Sequence, residues 1–390
     1  TPQFRWTLRN EFTFWKNLSL SFMMYSQWGH YNTFNRAANV SNFPDRCSEY
    51  VQPRWMPENP INDYARIGSK NIGNNYVDKS FIRFAPFMML EMAKTERFGQ
   101  CVIRNYVNEI VAEEAQQFSA VEICLSDGTS YISFRGTDDT IVGWKEDFNL
   151  STGVVPAQER AVEYLRRIAG SLQEMVRVGG HSKGGNLAVY GAVMCKEIHP
   201  WILQVYSNDG PGFSREFLEL PETEALLPKV TRIIPEYSII GTLLEHSKEP
   251  VLVASSNKGL LQHDGFSWEV SGNHFASKEQ LSSRAETFVS ILHKWIDGMD
   301  VEQKKVLIED LFSTIEASGS ENLSEIQAGG LKSFTAMLKR IESFAPESRE
   351  MVQELFLALF GGWLEQLKLP DMEKIPFLPQ SFSDKILEKF

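Results

Sequence analysis

The sequence predicts an α/β chain with a mostly parallel central sheet, and three observations carry that expectation. Between about residues 118 and 295, short apolar runs alternate with stretches of helical periodicity, the pattern of strands joined by crossover helices. Near the middle, the apolar run 175–178 enters a Gly-rich turn and then a helical pattern. After about residue 295 the period changes to that of amphipathic helices, punctuated by Ser318-Gly319-Ser320 and Ala345-Pro346. The expected organisation is an N-terminal extension and helical lead-in over 1–110, an α/β core over 111–295 and a helical region over 296–390.

Taken in order, residues 1–45 are crowded with aromatics, from Phe4 and Trp6 to Phe34 and Phe43, without a sustained period. They suit packing against a neighbouring domain or a lipid-facing patch, so peripheral membrane contact is one expectation. Residues 44–75, rich in Pro, Asn and Asp, read as loop, and Lys79–Phe98 as a helix. In the core, 121–125 and 131–134 are strands around the Asp127-Gly128 hairpin signal. A helix over 157–172, a strand at 175–179 and a helix over 184–197 follow, with further strands at 202–206, 230–234 and 251–254.

Composition excludes several function classes. A net charge of −11 and a pI near 5.3 leave no basic excess for nucleic-acid phosphates. Cys47, Cys101, Cys124 and Cys195 form no CxxC pair, which speaks against zinc or redox chemistry and for buried thiols in a reducing compartment. No apolar run approaches the roughly 20 residues that span a bilayer, and no basic start or apolar leader is visible. The expected location is cytoplasmic. Neither a metal nor an organic cofactor is implied, and the oligomeric state is not legible.

The chemistry centres on Gly180-His181-Ser182-Lys183-Gly184. A serine between two glycines, after a strand and before a helix, holds its hydroxyl clear of the backbone where a nucleophile is useful. Such a serine needs two N–H donors for the developing oxyanion: the residue after it, Lys183, and a loop after an earlier strand. Thr137 in Phe134-Arg135-Gly136-Thr137-Asp138 sits where that loop should be. A base must come late in the chain, after the last strand, which keeps His263, His274 and His246 as candidates. For the acid, Asp209 follows the next strand in a turn rich in Gly and Pro. Lys183 in a helix's first turn opposes the helix dipole by a few tenths of a kcal/mol, roughly. It suits an ion pair with Asp138, Asp139, Glu146 or Asp147, or attraction of an anionic headgroup.

These motifs, with Gly143–Asn149, Asn208–Phe213 and Gln262-His263-Asp264, resemble a bacterial lipase-like family known mainly as a domain of unknown function. More distantly, they resemble the class 3 (fungal-type) lipases; both are α/β-hydrolases. The resemblance covers about residues 80–295. It implies an α/β-hydrolase fold with Ser182 as nucleophile, and it favours His263 through the Gln-His-Asp match. Class 3 lipases carry two late histidines, the later one catalytic, which keeps His274 as the alternate. They place the acid one strand later, where this chain reads Pro235-Glu236-Tyr237-Ser238, so Glu236 is the alternate to Asp209. Arg135, Trp144 and Asp147 are expected to brace the Phe-Arg-Gly-Thr loop. The implied function is a serine esterase acting on small or lipid-like esters. Its rivals are a thioesterase, depalmitoylase or acyltransferase on the same machinery, and a non-catalytic lipid- or protein-binding module.

Overall fold

Among the described residues, eight strands lie side by side in chain order in one sheet: β1 (Asn59–Pro60), β2 (Val102–Val111), β3 (Gln116–Cys124), β4 (Ser130–Phe134), β5 (Val176–His181), β6 (Ile202–Asn208), β7 (Val230–Pro235) and β8 (Val251–Val253). This computed structural model describes residues 59–60, 92, 95, 98–111, 116–136, 150, 153–272, 274–296, 299–320 and 323–366. Every neighbouring pair from β4 to β8 is parallel, whereas β1 to β4 pair antiparallel. The chain is thus an α/β fold on a mostly parallel sheet, with an antiparallel edge. The Lys79–Phe98 helix and the aromatic residues 1–45 fall on or among residues outside those described.

Local chemistry explains the elements that flank the site. Every residue of β4 and β5 is buried, as expected for inner strands covered on both faces. The β3–β4 turn is built around Asp127-Gly128: Gly128 has φ 76°, and the Asp127 carboxylate accepts from Thr129 N at 3.0 Å. β2 joins the sheet through a bulge between Arg104 and Val107, with Asn105 at φ 54°. Helix α1 (Pro156–Ala169) starts with proline at its first position. Gln158 Oε1 accepts from Val155 N there, at 3.1 Å. Helix α2 (Lys183–Met194) ends earlier than its periodicity suggests, because the chain tightens into a 3-10 turn over Lys196–Trp201 that holds Pro200.

The two larger buried clusters among the described residues hold these layers together. One packs Ala161, Leu165, Leu187 and Ala192 of α1 and α2 against Phe134, Val178 and Val205 of the strands. The other joins Tyr237, Ile239 and Leu243, after β7, to α3 (Ser283–Ile296), α4 (Val301–Glu316), α5 (Leu323–Glu342) and α6 (Pro346–Gln366). The C-terminal helices therefore share apolar burial with the segment that follows β7.

Candidate active site

Parallel strands deliver their C-terminal ends to one edge of the sheet, and the predicted site residues leave from successive ends. Ser182 follows β5, Asp209 follows β6, Glu236 follows β7, and His263 comes after β8. Ser182 is 3% exposed and has φ 57° and ψ −133°, a backbone that costs a residue with a Cβ on the order of 1–3 kcal/mol. Hydrogen bonds hold it: its N–H donates to the Asn208 carbonyl at 2.9 Å, and its carbonyl accepts from Gly185 N at 2.8 Å. The two glycines of the motif are steric necessities. A Cβ on Gly180 would lie 2.3 Å from the Gly184 carbonyl, and one on Gly184 would lie 2.3 Å from the Phe134 oxygen.

Asp209 and His263 meet. His263 Nδ1 lies 2.7 Å from Asp209 Oδ2, with the carboxylate side chain 1% exposed and the ring 10%. A carboxylate can only accept, so the neutral ring carries its proton on Nδ1 and its lone pair on Nε2. The second oxygen, Oδ1, accepts from the Ser238 hydroxyl. That hydroxyl in turn accepts from Gly241 N at 2.9 Å, which leaves its proton to point at the carboxylate. Both carboxylate oxygens are thereby engaged, as a buried carboxylate requires.

His263 is anchored through its own backbone. His181 Nε2 donates to the His263 carbonyl at 2.8 Å, and the two rings lie 4.5 Å apart. Burial, and secondarily the neighbouring His263, push the His181 pKa well below the usual histidine range, so this ring is a neutral donor. Trp268 Nε1 donates to the Gln262 carbonyl at 2.8 Å, and Gln262 Oε1 accepts from Tyr237 N at 2.9 Å. Asn186 ties the elbow helix to its surroundings. It accepts from Gln158 Nε2 at 2.8 Å and donates to the Gly212 carbonyl at 2.8 Å, just past Asp209.

The alternates are engaged elsewhere. Glu236 forms an ion pair with Lys278 at 3.0 Å, and His274 is exposed on a two-residue strand, His274–Phe275, outside the main sheet. Arg135 is buried, and its N–H donates to the Ser119 carbonyl at 2.9 Å. Gly136 lies against the elbow, so that a Cβ there would sit 3.1 Å from Ser182 Cβ. Lys183 is buried in the first turn of α2. Thr137, Trp144 and Asp147, like Asp138, Asp139 and Glu146, lie outside the described residues.

Sequence reasoning gave no site role to Ser238, Gln262, Trp268 or Asn186. Ser238 carried a signal, as a small polar residue shortly after a strand end beside the expected acid position. The contacts of the other three arise from tertiary folding alone.

Among the described residues, Glu122, Cys124 and Glu174 bring their ligand atoms within 4.8 Å of one another. The Arg104 guanidinium already bridges the two carboxylates at 2.8 and 2.6 Å. The cluster also sits by the start of β4 and β5, at the far end of the sheet from Ser182. Among the described residues no helix is long and apolar enough to cross a membrane.

The Mbeg1-like family model matches residues 92–313, more than half of the 390 residues. The chain belongs to the Mbeg1-like family. The match spans all the site residues above. No curated protein matches the chain. Among solved structures, the Rhizomucor miehei lipase propeptide complex is similar at 18% identity and a TM-score of 0.28, over 39% of this chain and 56% of that one. The chain thus spans little more than half the length of that lipase. The structure titled M37 lipase is similar at 14% identity and a TM-score of 0.35, over 76% of this chain and 94% of that one.

Proposed function

We propose that the chain is a serine hydrolase that cleaves carboxylic esters, lipid-like ones foremost. The observation that carries this reading is the buried 2.7 Å contact between His263 and Asp209, on the sheet edge where Ser182 sits on a strained elbow. A strained serine, a histidine fixed in the Nδ1–H tautomer and a doubly engaged carboxylate are what acyl transfer needs.

In this mechanism Ser182 Oγ attacks the acyl carbon while His263 Nε2 takes its proton. The proton then passes to the leaving alkoxide, releasing the alcohol and leaving an acyl-serine. Water, deprotonated by the same histidine, attacks the acyl-serine and releases the carboxylic acid and the serine. Asp209 stays ionised and stabilises the imidazolium formed in each half-reaction. The Lys183 N–H supports the tetrahedral oxyanion from the nucleophile's side. Thr137 is proposed as the second donor, since Gly136, immediately before it, packs on Ser182. Arg135, Trp144 and Asp147 are proposed to brace that loop.

The test is turnover of p-nitrophenyl esters of rising acyl length and of matched thioesters, by the wild type, Ser182→Ala and His263→Ala. The proposal expects ester turnover that both substitutions reduce by a factor of about 10³ or more. Faster thioester cleavage would move the chain to the thioesterases. Ester turnover unchanged in Ser182→Ala would refute the mechanism.

A further inference from the structure

Beside the elbow, but apart from it, lies a cavity of about 650 Å³, within the range of small-molecule sites. Neither Ser182 nor His263 lines it; Gln158 and Gly212, two of the partners of the Asn186 side chain, do. The Asn186 knot therefore stands between the cavity and the nucleophile. One wall is a shelf of stacked rings: Tyr190 on Phe217 at 5.1 Å, and Phe217 on Phe213 at 4.5 Å. The lining also includes Leu292 of α3 and Ile308 of α4, so the core and the C-terminal helices build it jointly. Val154 and Met194 also line it, and they are 60% and 38% exposed, which marks the opening.

The polar groups on the lining narrow the occupant. Gln158 is spent on Val155 N and Asn186. Thr242 donates to the Ser238 and Ile239 carbonyls, and Ser214 accepts from Phe217 N. Arg215 pairs with Glu245 at 2.9 Å, and the other two charges on the lining, Lys304 and Glu216, are of opposite sign. A sugar, nucleotide or phosphate would find most of its prospective partners already engaged, and a carboxylate would meet as many anions as cations. An unbranched hydrocarbon chain needs none of these groups and gains from the apolar walls.

We infer that this cavity is a binding site for the hydrocarbon chain of a neutral amphiphile, separate from the Ser182 site and walled by the C-terminal helices. The site does not depend on hydrolysis. A bound chain would press on Phe213 and Gly212, next to the turn that presents Asp209, so occupancy is placed to bias the triad.

The test is calorimetric titration of the full chain with 1-O-dodecylglycerol, a non-hydrolysable neutral ether, below its micelle concentration. It is repeated after exposure to a fluorophosphonate, which occupies any reactive serine. The inference expects one equivalent bound before and after exposure. Affinity should fall about tenfold or more in Met194→Trp and in Val154→Trp, and for dodecanoate in place of the ether. Both substitutions are at exposed positions, and an unchanged melting curve shows that each variant is folded. Absence of binding, binding lost on fluorophosphonate labelling, or full affinity in both folded variants would overturn the site. Dodecanoate binding as tightly as the ether would overturn the neutral assignment. A chain that binds the ether but never labels refutes the hydrolase reading and leaves this site standing.

Discussion

Replacing Gly184 by alanine isolates the contact on which the elbow depends. Gly184 and Gly191 both lie in α2, so Gly→Ala brings each the same intrinsic helix gain of about 1 kcal/mol. Their surroundings differ. At Gly191 the new methyl would meet Leu165 Cδ1 at 3.1 Å and Ala161 Cβ at 3.3 Å, mostly side-chain atoms that can shift by a few tenths of an ångström. At Gly184 it would lie 2.3 Å from the Phe134 oxygen, 2.8 Å from the Arg135 carbonyl carbon and 2.8 Å from Gly136 N. All three are backbone atoms at the end of β4, a strand paired on both sides. Overpacking a rigid site costs about 3 kcal/mol at the upper end of its usual range. The helix gain leaves Gly184→Ala destabilised by about 2 kcal/mol, against near neutrality for Gly191→Ala.

Urea denaturation measures both, as a shift in midpoint at constant slope. The atoms displaced at Gly184 lead into Gly136, which packs on Ser182, so esterase turnover should also drop in Gly184→Ala while the protein is still folded. Equal midpoints for the two variants would refute the close-approach argument. Equal turnover in a destabilised Gly184→Ala would separate the elbow's packing from its chemistry.

Three other outcomes follow from the same geometry. Asp209→Asn should leave the fold intact and lower kcat by about 10³–10⁴, because the amide no longer holds the Nδ1–H tautomer; steady-state kinetics at neutral pH checks this. Ser238→Ala deletes one donor to that carboxylate and should cost about 1.5–3 kcal/mol of stability or barrier, visible as a lower kcat at nearly constant KM. His181 and His246 should together set an acid limit to stability. Burial pushes His246 down to about 3, with Arg232 adding to it, and pushes His181 well below its ordinary value. The unfolded chain takes up protons below about pH 6.5 that the folded state refuses. Stability is therefore full above that pH and falls below it by about 1.4 kcal/mol per pH unit for each histidine. Between pH 6.5 and 5 the slope in His246→Leu should be about half that of the wild type, and an unchanged slope in denaturant titrations would refute the assignment.

The parts of this molecule that were legible in the sequence are those fixed by local chemistry. Gly180 and Gly184 signalled a close strand–helix approach because no other residue fits at 2.3 Å. Asp127-Gly128 signalled the hairpin because Gly128 needs positive φ. The α2 boundary was less legible, since apolar periodicity runs on through residue 197 while Pro200 shapes the 3-10 turn that replaces the helix. β2 had a weaker signature still, because its bulge at Asn105 breaks the alternation that would have announced it.

The pairing of Asp209 with His263 was only partly legible. Asp209 and Glu236 both follow strand ends, and no local rule separates them. The choice is tertiary: Lys278 takes Glu236, whereas Ser238 and His263 converge on Asp209. The anchoring of His263 by His181 joins residues 82 apart in sequence, a contact that exists only once β5 and the segment after β8 are neighbours on one edge.

The proposed mechanism stands on Ser182 as an activated nucleophile. The most direct measurement is intact-mass analysis of the wild type, Ser182→Ala and His263→Ala after incubation with a fluorophosphonate, followed by peptide mapping. An activated Ser182 gives one adduct on the wild type, mapped to Ser182, none on Ser182→Ala, and labelling slowed by orders of magnitude on His263→Ala. A folded wild type that gains no mass, or an adduct mapped to another residue, would contradict it.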